Sequence, residues 1–116
     1  MPQRFNSRSK KELIIRVQDK VFSLLGLATR AGKIVSGEFS VEKAVKAKTA
    51  KLVMVSVDAS ENTAKKFSDK CKFYNIPIRF YGTKEALGAA IGKELRSTAA
   101  VMDEGFANTI LKRLEE

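Results

Sequence analysis

The stretch Leu52-Val53-Met54-Val55-Ser56-Val57 constrains the fold more than any other part of the chain. It is a continuous apolar run of strand length, enriched in β-branched valine and broken only by one serine. A strand of this kind needs cover on both faces, as the central strands of layered α/β domains have. The flanking segments supply that cover.

Before the run, Leu13, Val17, Val21, Leu24, Leu25 and Ala28 step by three or four residues and predict a long first helix ending near Gly32. Ser9-Lys10-Lys11-Glu12 has the form of a capping box for its start. A short strand over 33–36 leads to a second helix that begins at Gly37, with Val41, Ala44 and Val45 on one side and Lys43, Lys46 and Lys48 on others. After the run, Asp58 to Ser60 are expected to cap a third helix striped by Ala64, Phe67, Cys71 and Tyr74. Asn75 to Gly82 give a turn and a strand, Thr83 caps a fourth helix reaching Ile91, and Thr98 to Met102 form a last strand. Asp103 caps a final helix with Phe106, Ile110, Leu111 and Leu114 inward. Alternation of this kind predicts an α/β domain with a small, mostly parallel or mixed sheet between helices. Residues 9–116 form that single domain, and residues 1–8 are expected to be a flexible basic arm.

At 116 residues the chain is long enough to bury a core without staples. It has no His and one Cys, which excludes an internal disulfide, a Cys/His zinc site and a His-based catalytic dyad. Cys71 falls on the apolar stripe of the third helix and reads as a small core hydrophobe. No metal or cofactor is implied, and no acidic pair stands out as catalytic. With no membrane-spanning run and no signal-peptide pattern behind MPQRFNSRSKK, a cytoplasmic protein is expected.

The net charge of +9 is the strongest global signal and points to a phosphate-rich partner. No apolar helix face remains to insert into a lipid surface, so nucleic acid is favoured over membrane. Residues 30–51 hold six Lys or Arg against two acids, and residues 1–20 show the same ratio. The charge is thus concentrated in the first half.

Within that half, "GLATRAGKIVSGE" (Gly26 to Glu38) invites comparison with a nucleotide-binding loop. The P-loop needs four residues between its glycines and Ser or Thr after its lysine, so that backbone N–H groups converge on a phosphate and the hydroxyl reaches Mg²⁺. Here five residues separate Gly26 from Gly32, and Ile34 follows Lys33. The segment also ends a helix instead of opening one. Gly32 reads better as a left-handed helix stop.

Three segments, "LGLATRAGKIVSGEFSVEKAV", "AKLVMVSVDAS" and "YNIPIRFYGTKEALGAAIGK", together resemble the L7Ae/L30e family of ribosomal-protein-like RNA binders, in particular its small bacterial members. The similarity runs from about Val21 to Phe106. It implies a three-layer α/β/α sandwich with a small central mixed sheet, and structured RNA as partner, typically a kink-turn bent beside tandem sheared G·A pairs. It further implies a non-enzymatic role near ribosomal or other non-coding RNA, with a free monomer expected. A ribosome- or translation-factor-docking module that reads no RNA motif is the alternative.

The family signature at the start of the second helix is Gly-x-Asn-Glu-x-x-Lys. Gly37 and Lys43 match it, whereas Phe39 stands at the Asn position and Ser40 at the Glu position. Gly37 reads either as a place where backbone approaches phosphate or as a plain strand-to-helix turn. Lys43 reads as a phosphate or guanine contact beside the alternative of a solvated lysine. Phe39 is equally a stacking or a core residue. Glu38 offers a carboxylate acceptor from a shifted position. The resemblance implies a second contact in the loop before the last strand, where Lys93, Glu94, Leu95 and Arg96 lie; Leu95 either covers an unstacked base or tucks onto the core. Arg30 and Lys33 would add phosphate contacts that position the RNA.

Overall fold

The computed structural model describes residues 20–116. The expected arm over 1–8, the capping box at Ser9 to Glu12, and the stripe positions Leu13 and Val17 lie outside the described residues. Helix α1 (20–30) is followed by β1 (Ile34–Ser36), α2 (Glu38–Lys46), β2 (Leu52–Val55), α3 (Glu61–Tyr74), β3 (Ile78–Phe80), α4 (Lys84–Ala90), β4 (Thr98–Val101) and α5 (Glu104–Leu114). The strands form one sheet in the order β1-β4-β2-β3, antiparallel except for the parallel pair β2 and β3.

Strand β2 is fully buried and splits its side chains between two cores, as strand alternation requires. Leu52 and Met54 pack with Val21, Leu25, Leu87, Ile91 and Ile110 from α1, α4 and α5. Val53 and Val55 pack with Val41, Val45, Phe67 and Cys71 from α2 and α3. The sheet is therefore the middle layer of an α/β/α sandwich. Burial of Cys71 pushes its thiol up to about 11, so near neutral pH it stays a protonated core group.

Local chemistry sets the boundaries. Thr83 accepts the Ala86 N–H and Asp103 the Phe106 N–H, each capping its helix. At the start of α3 only Ser60 caps, by accepting from Thr63 N. Asp58 turns away and accepts the Lys84 N–H, 26 residues downstream, at the start of α4. Helix α1 ends as Gly32 takes a φ of +72°, with Lys33 N–H on Ala28 O (2.8 Å) and Gly32 N–H on Thr29 O (3.0 Å). That is the Schellman pattern, in which the turn satisfies the last carbonyls of the helix.

Candidate nucleic-acid interface

Register places four strand ends together. Ser36 of β1 lies beside Ala99, and Val55 of β2 lies between Thr98 of β4 and Phe80 of β3. Because α2, α3 and α4 follow β1, β2 and β3, all three begin at this end of the sheet. The loop 92–97 that precedes β4 arrives at the same place.

A ring of hydrogen bonds joins these pieces. At the start of α2, Glu38 Oε1 accepts from Thr63 Oγ1 in the first turn of α3, and Ser60 Oγ donates to Thr63 Oγ1 (3.0 Å). Asp58 then reaches Lys84 N (3.0 Å) at the start of α4, and Arg96 N donates to Lys84 O (3.0 Å). Arg96 closes the ring through its Nε on Ser36 Oγ (3.1 Å), while one terminal nitrogen donates to Leu95 O (2.7 Å). These bonds fix the guanidinium plane and leave some of its donors over for a ligand.

Helix α2 differs from its neighbours at this end. Its N-cap is Gly37, whose φ of +88° and ψ of 151° lie in a region that only glycine adopts at low cost, and no side chain caps the helix. Its first-turn N–H groups carry no side-chain acceptor, whereas Ser60 and Thr83 supply one to α3 and α4. An uncapped helix start with backbone accessible at a glycine is suited to an anion or a polar base edge.

The loop is held against α4. Lys93 N–H donates to Gly88 O (2.8 Å), and a Cβ placed on Gly88 would come within 2.5 Å of Glu94 O. Only glycine lets the loop backbone sit this close. Leu95 is thereby kept half-exposed at the loop's surface, outside both core clusters.

The expected residues fall into two groups. Gly37, Glu38, Phe39, Ser40 and Lys43 gather around the start of α2, with Lys93, Glu94, Leu95 and Arg96 in the adjoining loop. Phe39 is 81% exposed and so is not a core residue. Glu38 is exposed, but its carboxylate is turned toward α3. Arg30 and Lys33 are exposed at the other end of β1: Lys33 O accepts from Met102 N, whereas Gly37 N donates to Thr98 O. About 13 Å of extended chain separates Lys33 from Gly37. The structure does not bring them into the cluster.

Sequence reasoning missed Ser36, Asp58, Gly88 and Val57, the last 64% exposed beside the ring. Gly88 had a signal, since a mid-helix glycine costs about 1 kcal/mol against alanine and asks for a packing reason. The Ser36 to Arg96 contact spans 60 residues and has none.

Comparison with known proteins adds an independent finding. The model of the ribosomal protein L7Ae/L30e/S12e/Gadd45 family matches residues 19–111. The chain belongs to this family. It is 50% identical over 94 residues to the RNA-binding protein YlxQ of Bacillus subtilis, covering 81% of this chain and 94% of that protein. It is 37% identical over 95 residues to large ribosomal subunit protein eL30 of Tetrahymena thermophila, covering 80% and 91%. Among solved structures, the Giardia lamblia 15.5kD RNA binding protein superposes with a TM-score of 0.74 at 20% identity, covering 86% of each chain, and shares the fold. Among the described residues of this L7Ae/L30e-family chain, no helix is long and apolar enough to cross a membrane.

Proposed function

We propose that this chain is a non-catalytic, cytoplasmic RNA-binding protein that clamps a sharply bent, G·A-containing structured RNA, such as a kink-turn, on the end face formed by α2 and the loop 92–97. The observation that carries this reading is the uncapped start of α2 at Gly37, held against Arg96 by the bond to Ser36. The first turn of α2 receives a phosphate or base edge, Lys43 and Arg96 neutralise backbone charge, and Leu95 covers an unstacked base. Glu38 and Glu94 repel phosphate but accept from base amino groups, which favours reading over indiscriminate attraction. The preformed ring lowers the ordering cost of binding. Names borne by relatives, RNA-binding protein YlxQ and ribosomal protein eL30, support RNA as the ligand class.

The test is a gel shift that compares a kink-turn hairpin with the same hairpin after its G·A pairs are replaced by Watson–Crick pairs. Preference for the intact motif is expected; equal affinity for both, or for a plain duplex, overturns the kink-turn claim. A second reading, a ribosome-docking module without RNA-motif specificity, draws on the ribosomal relative. It requires that Glu38→Ala and Lys43→Ala leave RNA affinity unchanged while a protein contact is lost.

A further inference from the structure

Phe39 sits in the first turn of α2 on the side opposite the buried stripe Val41, Ala44 and Val45. With Glu42, Lys43, Lys46 and Ala47 it lines a shallow, open groove along the outer face of the helix. Positions three, four, seven and eight residues beyond Phe39 share a face, so this grouping follows from helix geometry.

The groove borders a cluster of lysines on α2 and α3. Glu42 is ringed by three ammonium groups, with Lys66 Nζ at 2.8 Å, Lys46 Nζ at 3.1 Å and Lys70 Nζ at 3.3 Å. One carboxylate cannot balance three lysines, and Lys43 adds a further charge nearby. Glu42 instead sets their spacing, which turns flexible side chains into an ordered row that passes from α2 to α3. At the head of the row stands an aromatic ring with 81% of its surface in solvent.

We propose that this groove is a stacking site for one unpaired base of the bound RNA, with the base on Phe39 and the adjoining phosphates running along Lys43, Lys46, Lys66 and Lys70. The proposal rests on the RNA-binding reading and gives its departure from the family signature a role: Phe39 replaces a hydrogen-bonding side chain with a stacking surface. Charge complementarity selects the occupant. A nucleotide joins a flat π-face to an anion at short range, which matches a ring beside a lysine row. An apolar protein segment would leave the lysines unanswered.

The experiment places 2-aminopurine in turn at each unpaired position of a kink-turn hairpin, and separately in a single-stranded oligoadenylate. Wild-type protein is expected to change the fluorescence at one hairpin position. Phe39→Ala should abolish that change and weaken hairpin binding about tenfold, within the range seen for loss of one stacked base. Phe39→Trp should retain both, and neither variant should alter the salt dependence. Phe39 is outside both cores, and a thermal melt checks that the variants fold. No fluorescence change at any unpaired position of either RNA, or wild-type affinity of Phe39→Ala for both, overturns the proposal. Displacement of the hairpin by a polyglutamate peptide, with binding of that peptide dependent on Phe39 and no response from any 2-aminopurine, assigns the groove to an acidic protein and also overturns it. Loss of G·A preference with Phe39-dependent oligoadenylate binding refutes the kink-turn reading and leaves the groove standing. The converse pattern refutes the groove alone.

Discussion

Strand β1 is flanked by two glycine turns of the same hand that do opposite things. At Gly32 (φ +72°) the chain leaves α1, and the turn itself satisfies the final carbonyls of the helix through the Gly32 and Lys33 N–H groups. At Gly37 (φ +88°) the chain enters α2, and the first N–H groups of that helix are left without a side-chain acceptor. One end is closed on itself. The other is open, and it is the end that Arg96 ties to a second loop. The positive charge at Arg30 and Lys33 that suggests a phosphate site belongs to the closed end. Basic residues in a short sequence window are therefore a weaker guide than the direction in which the helix beside them runs.

Substituting the two glycines separates the roles most strongly. Gly37→Ala forces a side chain into a backbone region that strains all residues but glycine, at a cost of about 1–3 kcal/mol, and sets a methyl group where a ligand would approach the open helix start. A lowered melting temperature together with loss of RNA binding in a gel shift is expected. Gly32→Ala meets a penalty of about 1–2 kcal/mol for a left-handed non-glycine residue, and at both glycines an added Cβ has no protein atom within 4 Å. It should melt earlier yet bind RNA with wild-type affinity at a temperature where it is folded. Equal loss of binding in both variants would erase the distinction between the ends.

The second partner of the open end is tested at Gly88. An added methyl overlaps the Glu94 carbonyl, and backbone cannot rotate out of the way as a long side chain can. Displacing the loop costs about 1–3 kcal/mol as overpacking and shifts Leu95 and Arg96 away from Gly37. Gly88→Ala should weaken RNA binding by more than its loss of stability accounts for, as measured by binding and melting side by side. A variant that melts lower but binds normally would show that the loop takes no part.

The elements themselves were legible because their signals are local. Ser60, Thr83 and Asp103 stand at helix starts and cap through a neighbour three residues on, and the valine-rich run has only one place in a layered fold. The candidate site was legible in part. The helix-start residues Gly37 to Lys43 and the loop 93–96 come together as the family resemblance implies, but what welds them does not appear in any window. Asp58 reads as a cap for the helix that follows it and serves the next one, since its partner is set by how β2 and β3 lie side by side. The same limit applies to Phe39, whose side chain faces solvent because the α2 stripe Val41, Ala44 and Val45 fixes which way the helix turns. Arg30 and Lys33 stand close to Gly37 in sequence, and β1 undoes that closeness by carrying the chain across the sheet.

A smaller effect sharpens the comparison through electrostatics. Each phosphate that a lysine neutralises releases counterion, so Lys43→Ala should reduce the slope of log K against log salt by about one. Lys33→Ala should leave the slope unchanged, because the closed end lies away from the proposed contact. A reduced slope in Lys33→Ala would mean that the RNA extends along β1 to both ends.

The smallest expected effect concerns Glu42, on the open side of the comparison. Lys66 and Lys46, with Lys70 behind them, hold its carboxyl down from 4.5 to about 2 against the opposing influence of desolvation. A depressed native value means that the unfolded chain takes up its proton first as pH falls. The contribution of Glu42 is thus complete above about pH 4.5 and disappears as pH falls toward 2. Glu42→Gln should be less stable than wild type at neutral pH, with the gap narrowing through that window and shrinking in high salt, as followed by thermal melts. Its effect on RNA should have the opposite sign. Removing the carboxylate frees three lysines, so affinity at low salt should rise even as stability falls. A variant that lost both would show that the spacing Glu42 gives its lysines outweighs the charge it cancels.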